Sequence, residues 1–250
     1  MPVLHSIKIR RLAKMIIRRD FIHAGIKYSF NWNQKNHRNF EQWTTGRQLF
    51  KYLAEISNNQ VPHDLFNNTE LQRISRFKIT GVARGICPKL GRTLIENGQI
   101  NRLGAENEYS RIARKVIQNY KSSGISSKPG HDPILKYLLI NHKNTVAIEV
   151  PVWRLPPNSI TGHIDLLQVV EDGAIIADYK PEGNFMRSLP QVAFYGYLLG
   201  KNLGLDQVSC VSFNQKEAWQ YKPEILVNGL NSLLEKYHRG EVPWISFILN

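Results

Sequence analysis

The stretch that decides the fold is Thr161–Asn184, TGHIDLLQVVEDGAIIADYKPEGN. Two apolar runs, Ile164–Val170 and Ala174–Ala177, are joined by Glu171-Asp172-Gly173 and read as a β-hairpin. Asp165 interrupts the first run, and Asp178-Tyr179-Lys180 closes the second. Burying a charge without a partner is costly, so three charges in so apolar a ribbon need a reason. If Asp172-Gly173 forms the two-residue turn it favours, Glu171 faces Ala174 and Lys180 lies opposite Asp165. Asp178 then falls diagonal to Asp165 on the same face, within the roughly 5–8 Å over which cross-strand groups interact. A three-residue loop without a bulge would place Tyr179 opposite Asp165 and send the carboxylates to opposite faces.

Two carboxylates held this close repel, and one takes up a proton unless a cation sits between them. Oxygen ligands on rigid strands suit Mg²⁺ or Mn²⁺, and Mg²⁺ commonly completes its shell with water and substrate phosphate. A lysine beside such an ion can orient an attacking water and offset charge on a pentavalent phosphorane. These are the parts required for phosphodiester hydrolysis. The competing reading is a salt-bridged hairpin in which Lys180 only neutralises the two aspartates.

Moving outward, Thr145–Trp153 reads as a strand, Leu189–Leu199 as a helix, Ser209–Phe213 and Ala218–Tyr221 as strands, and Pro223–Tyr237 as a closing helix. Upstream, Ala105, Tyr109, Ile112, Ala113, Val116, Ile117 and Tyr120 follow helical spacing from Leu103 onward. Residues 121–130, KSSGISSKPG, read as a loop, and Leu135–Ile140 as a short helix or strand. Helices alternating with strands in this order predict an α/β sheet flanked by helices. Near the start, IKIRRLAKMIIRR predicts a basic amphipathic helix, with Leu12, Met15 and Ile16 on one stripe and Arg10, Arg11, Lys14, Arg18 and Arg19 around it. Its composition suits a nucleic-acid contact or an organellar transit segment. Residues 31–80, rich in Asn, Gln and aromatic residues, carry little pattern.

The chain has 250 residues and a net charge of +13, and the excess is one-sided. Residues 1–100 hold 17 Lys and Arg against 6 Asp and Glu, whereas residues 151–250 hold 8 against 10. A positive field of this kind is the footprint of a protein that meets a polyanion, most often nucleic acid. No apolar run approaches the roughly 18 residues that span a bilayer, so no membrane role is expected. Cys87 and Cys210 stand too far apart in sequence to form a paired-ligand motif, and an intracellular compartment fits.

Glu149 in AIEVPV, Gly162–Asp165 (GHID), Asp178–Lys180 (DYK) and Gln191–Tyr195 (QVAFY) form an ordered set. In that order they resemble the PD-(D/E)XK nuclease superfamily, and more narrowly its RecB-like exonuclease branch. The resemblance runs over about residues 103–199, with Ile86–Leu90 (ICPKL) similar to the start of the family's N-terminal region. It implies a restriction-endonuclease-like core over residues 101–250, preceded by a basic, mainly helical region over 1–100 that contacts nucleic acid. It further implies that Asp165 and Asp178 are metal ligands, that the Tyr179 carbonyl adds an oxygen, and that Lys180 serves the attacking water. Gln191 and Tyr195, four apart on one helix face, would steady the lysine, water or phosphate, with packing as their alternative role. Glu149 matches the strand glutamate that family members keep near the site.

The upstream acid departs from the RecB-like pattern, in which Gly-x-x-x-His supplies a further ligand. Gly104 is followed at that spacing by Glu108, while Glu106 lies nearer the centre of the apolar stripe, and either could face the metal. His163, two residues from Asp165, either supports a metal ligand through a hydrogen bond or is a plain hydrogen-bonding residue. Two cysteines do not make the four-cysteine iron–sulfur cluster of many branch members, so none is expected. The expectation is a Mg²⁺- or Mn²⁺-dependent nuclease acting on single- or double-stranded DNA, with RNA left open. The alternatives are a site- or structure-specific endonuclease and an inactive nucleic-acid-binding protein on the same fold.

Overall fold

The structure, a computed structural model, describes residues 16–83, 85–125, 130–236 and 242–249. At its centre is an eight-stranded sheet made of β1 (Ile16–His23), β2 (Ile26–Asn33), β3 (Ile100–Leu103), β4 (Thr145–Arg154), β5 (Ile160–Val170), β6 (Gly173–Tyr179), β7 (Val208–Phe213) and β8 (Ala218–Tyr221). Their spatial order is β1-β2-β4-β5-β6-β7-β8-β3. All neighbours are antiparallel except β6 and β7. A parallel pair needs a long crossover, and the helix between those two strands supplies it.

The nine α-helices among the described residues are α1 (Gln34–Arg38), α2 (Thr44–Ser57), α3 (His63–Asn67), α4 (Ile86–Glu96), α5 (Glu108–Ser122), α6 (His131–Asn141), α7 (Phe185–Leu203), α8 (Ser232–Lys236) and α9 (Ile245–Leu249). On one face of the sheet, Ala113 and Val116 of α5 and Ile134, Leu135 and Leu138 of α6 pack against Ile148, Leu166, Ala177, Tyr179 and Phe213. On the other, Leu49 and Leu53 of α2, Leu90 of α4 and Leu189, Val192 and Leu198 of α7 pack against Val150, Leu167 and Ile176. The chain is thus an α/β protein with a mixed sheet flanked by helices, as the element order predicts.

The central strands are apolar on both sides because both sides are covered, which is why β5 reads as a near-continuous hydrophobic run. α7 is buried around almost its whole circumference. Gly196 lets it sit down on the sheet, since a Cβ there would meet Cys210 Sγ at 2.7 Å and Pro223 Cγ at 2.9 Å.

Several boundaries differ from the sequence reading. Ile16, Arg18 and Arg19, placed above on a basic helix, lie in strand β1, and the rest of that segment lies outside the described residues. Period-two burial wins there: Phe21 and His23 point inward while Asp20 and Ile22 point out, and Asp20 pairs with Arg18 and Lys27. Ala24 and Gly25 both take positive φ, 47° and 76°, which closes a tight hairpin. This hairpin extends the sheet through β2 and β4, so residues 16–33 are strands of the same sheet as residues 145–221, where a mainly helical region is expected. Leu103 ends β3, and α5 begins only at Glu108, because Asn107 caps it by accepting from the Ser110 amide. Lys121 and Ser122 belong to that helix, and the 126–129 part of the expected loop is not described. The expected closing helix is a wide helical turn over Leu226–Asn231 followed by α8, with Tyr237 outside the described residues.

The decisive hairpin is a hairpin, but its turn is Glu171-Asp172, with Val170 paired to Gly173. Gly173 is required by close approach, not by the turn: a Cβ on it would stand 2.8 Å from the Gln207 carbonyl oxygen, beside which β6 begins to pair with β7.

Candidate active site

The corrected register moves Asp165's partner. Leu166 pairs with Ala177, so the next position sets Asp165 across from Asp178, with Lys180 two residues further along the same face. The β5–β6 ladder stops at Leu166–Ala177 while β5 stays paired to β4 as far as Ile160. Asp165 and Asp178 therefore stand where two strands part. On the other side of β5, Ile148 pairs with Leu166 and Val150 with Ile164, which puts Glu149 opposite Asp165. Three acids form one row across three neighbouring strands. Glu149 holds φ at +53° in mid-strand, a left-handed conformation costing about 1–3 kcal/mol in a non-glycine residue and typical of functional sites.

Lys180 Nζ is 2.7 Å from Asp178 Oδ2. Asp178 is buried, and neither of its oxygens has a hydrogen-bond partner of good geometry. Its carboxyl is pushed well above the usual range by burial and by the Asp165 charge facing it. Burial acts on Asp165 in the same direction, but hydrogen bonds from His131 and from the Asp178 carboxyl overcome it and hold Asp165 below its ordinary value. Of the pair, Asp178 is the more readily protonated. Burial, then Asp165, raise Glu149 to about 7.

The site's nitrogen donor is His131, the first residue of α6, whose Nδ1 is 3.2 Å from Asp165 Oδ2. That hydrogen bond raises His131 above its usual value. Ligand atoms of His131, Asp165 and Asp178 all lie within 4.8 Å of one another. A nitrogen, several carboxylate oxygens and a buried carboxyl without a well-formed hydrogen bond fit a divalent cation. Sequence reasoning passed over His131; the signal was His131-Asp132-Pro133 after Pro129-Gly130, a helix start with an acid and a proline in its first turn.

Glu106 and Glu108 do not join this cluster. Glu106 is exposed and pairs with Arg114 at 3.1 Å. Glu108 pairs with His142 Nε2 at 3.2 Å, in a polar group that continues through Gln168 to the Tyr109 hydroxyl. Because α5 starts one turn later than its apolar stripe suggests, Glu106 precedes the helix and Glu108 opens it. The Tyr179 ring turns toward the α5–α6 face, against Phe213 and edge-on to His131 at 5.7 Å between centroids, so it packs on the cluster's histidine without joining the row of acids.

Gln191 and Tyr195 are both buried on α7, and Gln191 Nε2 donates to the Tyr195 hydroxyl at 3.4 Å. They line a cavity of about 200 Å³ together with Glu149, Gly162, His163 and Asp165. The glycine of GHID is there for Tyr195, because a Cβ on Gly162 would stand 2.5 Å from the ring's Cε1. Next to the cavity runs a chain of histidines: His163 Nε2 is 2.9 Å from His23 Nδ1, and His23 Nε2 is 3.2 Å from His63 Nδ1. Burial lowers His23 to about 4 and holds His163 well below its ordinary value, while the chain ties β1, α3 and β5 together.

No helix among the described residues is long and apolar enough to cross a membrane. No family model matches the chain, and no curated protein matches it. Among solved structures it aligns with the crystal structure of SSO0001 at 14% identity, over 82% of this chain and 93% of that one. The TM-score of 0.34 is too low for that alignment to inform the fold or the site.

Proposed function

We propose that the chain is a metal-dependent nuclease of the PD-(D/E)XK superfamily, RecB-like in its motif order, that hydrolyses DNA phosphodiester bonds. The observation that carries this reading is the row Glu149, Asp165 and Asp178 at the parting of β5 and β6, with Lys180 2.7 Å from Asp178. A salt-bridged hairpin would have matched charges, but here three acids meet one lysine and one histidine, and the buried Asp178, although in contact with Lys180, has no well-formed hydrogen bond on either oxygen. His131, Asp165 and Asp178 would hold Mg²⁺ or Mn²⁺, with the Tyr179 carbonyl as a further oxygen. When bound, such an ion supplies Lewis acidity to the phosphate and lowers the pKa of a coordinated water.

The chain's own residues supply the rest. Lys180 is fixed by Asp178 where its ammonium can orient a water and offset charge that develops on the phosphorane. Gln191 presents an amide to the cavity, and its bond to Tyr195 holds that amide in place. At about 200 Å³ the cavity falls below the roughly 300–1,000 Å³ of sites that enclose a whole small ligand. It takes a phosphodiester group and leaves the base outside, which suits a backbone reader without base specificity. The test is degradation of labelled single- and double-stranded DNA with Mg²⁺, Mn²⁺ or EDTA. Cleavage that EDTA abolishes and Lys180→Ala reduces by orders of magnitude supports the reading; equal degradation by wild type and Lys180→Ala refutes it. Discrete fragments from a circular substrate would mark an endonuclease.

A further inference from the structure

The cavity that holds Asp165 and Glu149 is also lined by residues of the N-terminal region: Tyr28 of β2, Phe66 of α3, Arg73 and Ser75. Arg73 is anchored twice, its Nη2 donating to the Phe66 carbonyl oxygen at 2.8 Å and its backbone bridging to Thr161 of β5. Its guanidinium stands beside the Tyr28 hydroxyl, and the Tyr28 ring stacks on His163 at 3.6 Å between centroids. Arg73 forms no ion pair among the described residues, although two carboxylates line its cavity. A guanidinium has five N–H donors in a rigid fork, and the Phe66 carbonyl engages only one of its nitrogens. The remainder matches the paired oxygens of a phosphate better than a lysine would.

We infer that Arg73, steadied by Tyr28 and the Phe66 carbonyl, receives a non-bridging oxygen of the phosphate that is to be cleaved. The inference rests on the nuclease reading of the acidic row. It gives the first hundred residues a part in the site itself, beyond a general attraction for a polyanion. It also requires coupling to the cation, because without one the carboxylates of the same cavity repel the phosphate before Arg73 can hold it.

Fluorescence anisotropy of a short fluorescein-labelled oligodeoxythymidylate, titrated with protein in Ca²⁺ or in EDTA across a range of KCl, tests this. Arg73→Gln is expected to weaken binding about tenfold in Ca²⁺, the loss of one charged hydrogen-bonding group, and to leave binding in EDTA unchanged. The log–log salt slope in Ca²⁺ should flatten by about 0.7, one phosphate contact on a single strand. Arg73→Lys should keep that slope and recover only part of the affinity, and it carries the test if thermal melting shows Arg73→Gln unfolded. Wild-type affinity for Arg73→Gln in Ca²⁺, an equal loss in Ca²⁺ and EDTA, or no binding by wild type overturns the inference. Binding that depends on Ca²⁺ and Arg73 without cleavage in Mg²⁺ or Mn²⁺ would overturn the nuclease reading, and with it the claim that the phosphate is one to be cleaved, leaving Arg73 as a cation-dependent phosphate contact only.

Discussion

Asp178→Asn should make the metal-free protein more stable and deprive it of metal. Asp178 is 3% exposed, has no hydrogen bond of good geometry on either oxygen, and faces a second carboxylate. An unsatisfied buried polar group costs about 1–3 kcal/mol. The amide that replaces it has the same shape, carries no charge and can donate to Asp165. Without metal the variant should therefore gain about 1–3 kcal/mol, which for a chain of this size raises Tm by about 3–8 °C. The sign of the pH dependence follows from the raised carboxyl. Above the ordinary carboxylate value of 3.8 the unfolded chain has lost a proton that the fold still keeps, so stability falls as pH rises toward the folded value. The variant should lack that fall.

A bound cation reverses the order. A divalent ion at a hundred times its Kd stabilises the wild type by about 2.7 kcal/mol, and the variant, missing one ligand, gains far less. Thermal melts near neutral pH, in EDTA and then in Mn²⁺, read both effects. A variant less stable than wild type in EDTA, or one with the same Mn²⁺ increment, would show that Asp178 is a structural carboxylate and that the cation reasoning is wrong.

Gly162→Ala should drive a methyl group into the Tyr195 ring and Ile74, costing about 1–3 kcal/mol of overpacking. Activity should fall with it, which urea denaturation and a cleavage assay on the same sample would show. Glu149→Gln should flatten the stability profile between pH 4.5 and about 7 in metal-free protein, because a raised acid costs the wild type stability as pH climbs through that window. The difference is about 1–3 kcal/mol, read from denaturant midpoints at either end. His131 supplies a nitrogen, so Mn²⁺ should support cleavage better than Mg²⁺, and His131→Ala should narrow that gap; equal Mn²⁺ and Mg²⁺ rates in wild type would count against the ligand assignment. Alanine at Glu106 or Glu108 should leave cleavage within about twofold of wild type, since both carboxylates are engaged away from the cluster. A large loss in either would restore the upstream acid to the site.

The strands were legible where burial imposes a pattern that no other element shares. β5, β6 and β7 carry apolar runs too short for helices and rich in β-branched residues, and their limits were read to within a few residues. The N-terminal hairpin was not legible, because alternating arginines and apolar residues satisfy a helical stripe and a strand equally over so short a window. Only the tertiary position of Phe21 and His23 settles it. His131 was hidden for a related reason: it reaches Asp165 across 34 positions of sequence, from a helix whose beginning follows residues with no periodic signal.

The candidate site survived a wrong turn because the mistake respected the pleat. Moving the turn from Asp172-Gly173 to Glu171-Asp172 exchanges Asp165's partner from Lys180 to Asp178, two residues along the same strand. A shift of two keeps every side chain on its face, whereas a shift of one would have sent Asp178 and Lys180 to the α5–α6 side and turned Tyr179 toward Asp165. The correction also changes the energetics. With Lys180 directly opposite Asp165, the lysine could have neutralised that carboxylate at short range and left a satisfied ion pair. With Asp178 there instead, two carboxyls meet across the opening of the ribbon, Glu149 stands on the far side of Asp165, and Lys180 and His131 can only flank the row. Fully ionised, three carboxylates would exceed Lys180 and a protonated His131 by one charge, an excess that the metal-free fold meets by raising Asp178 and Glu149 toward their protonated forms and that a cation would meet instead.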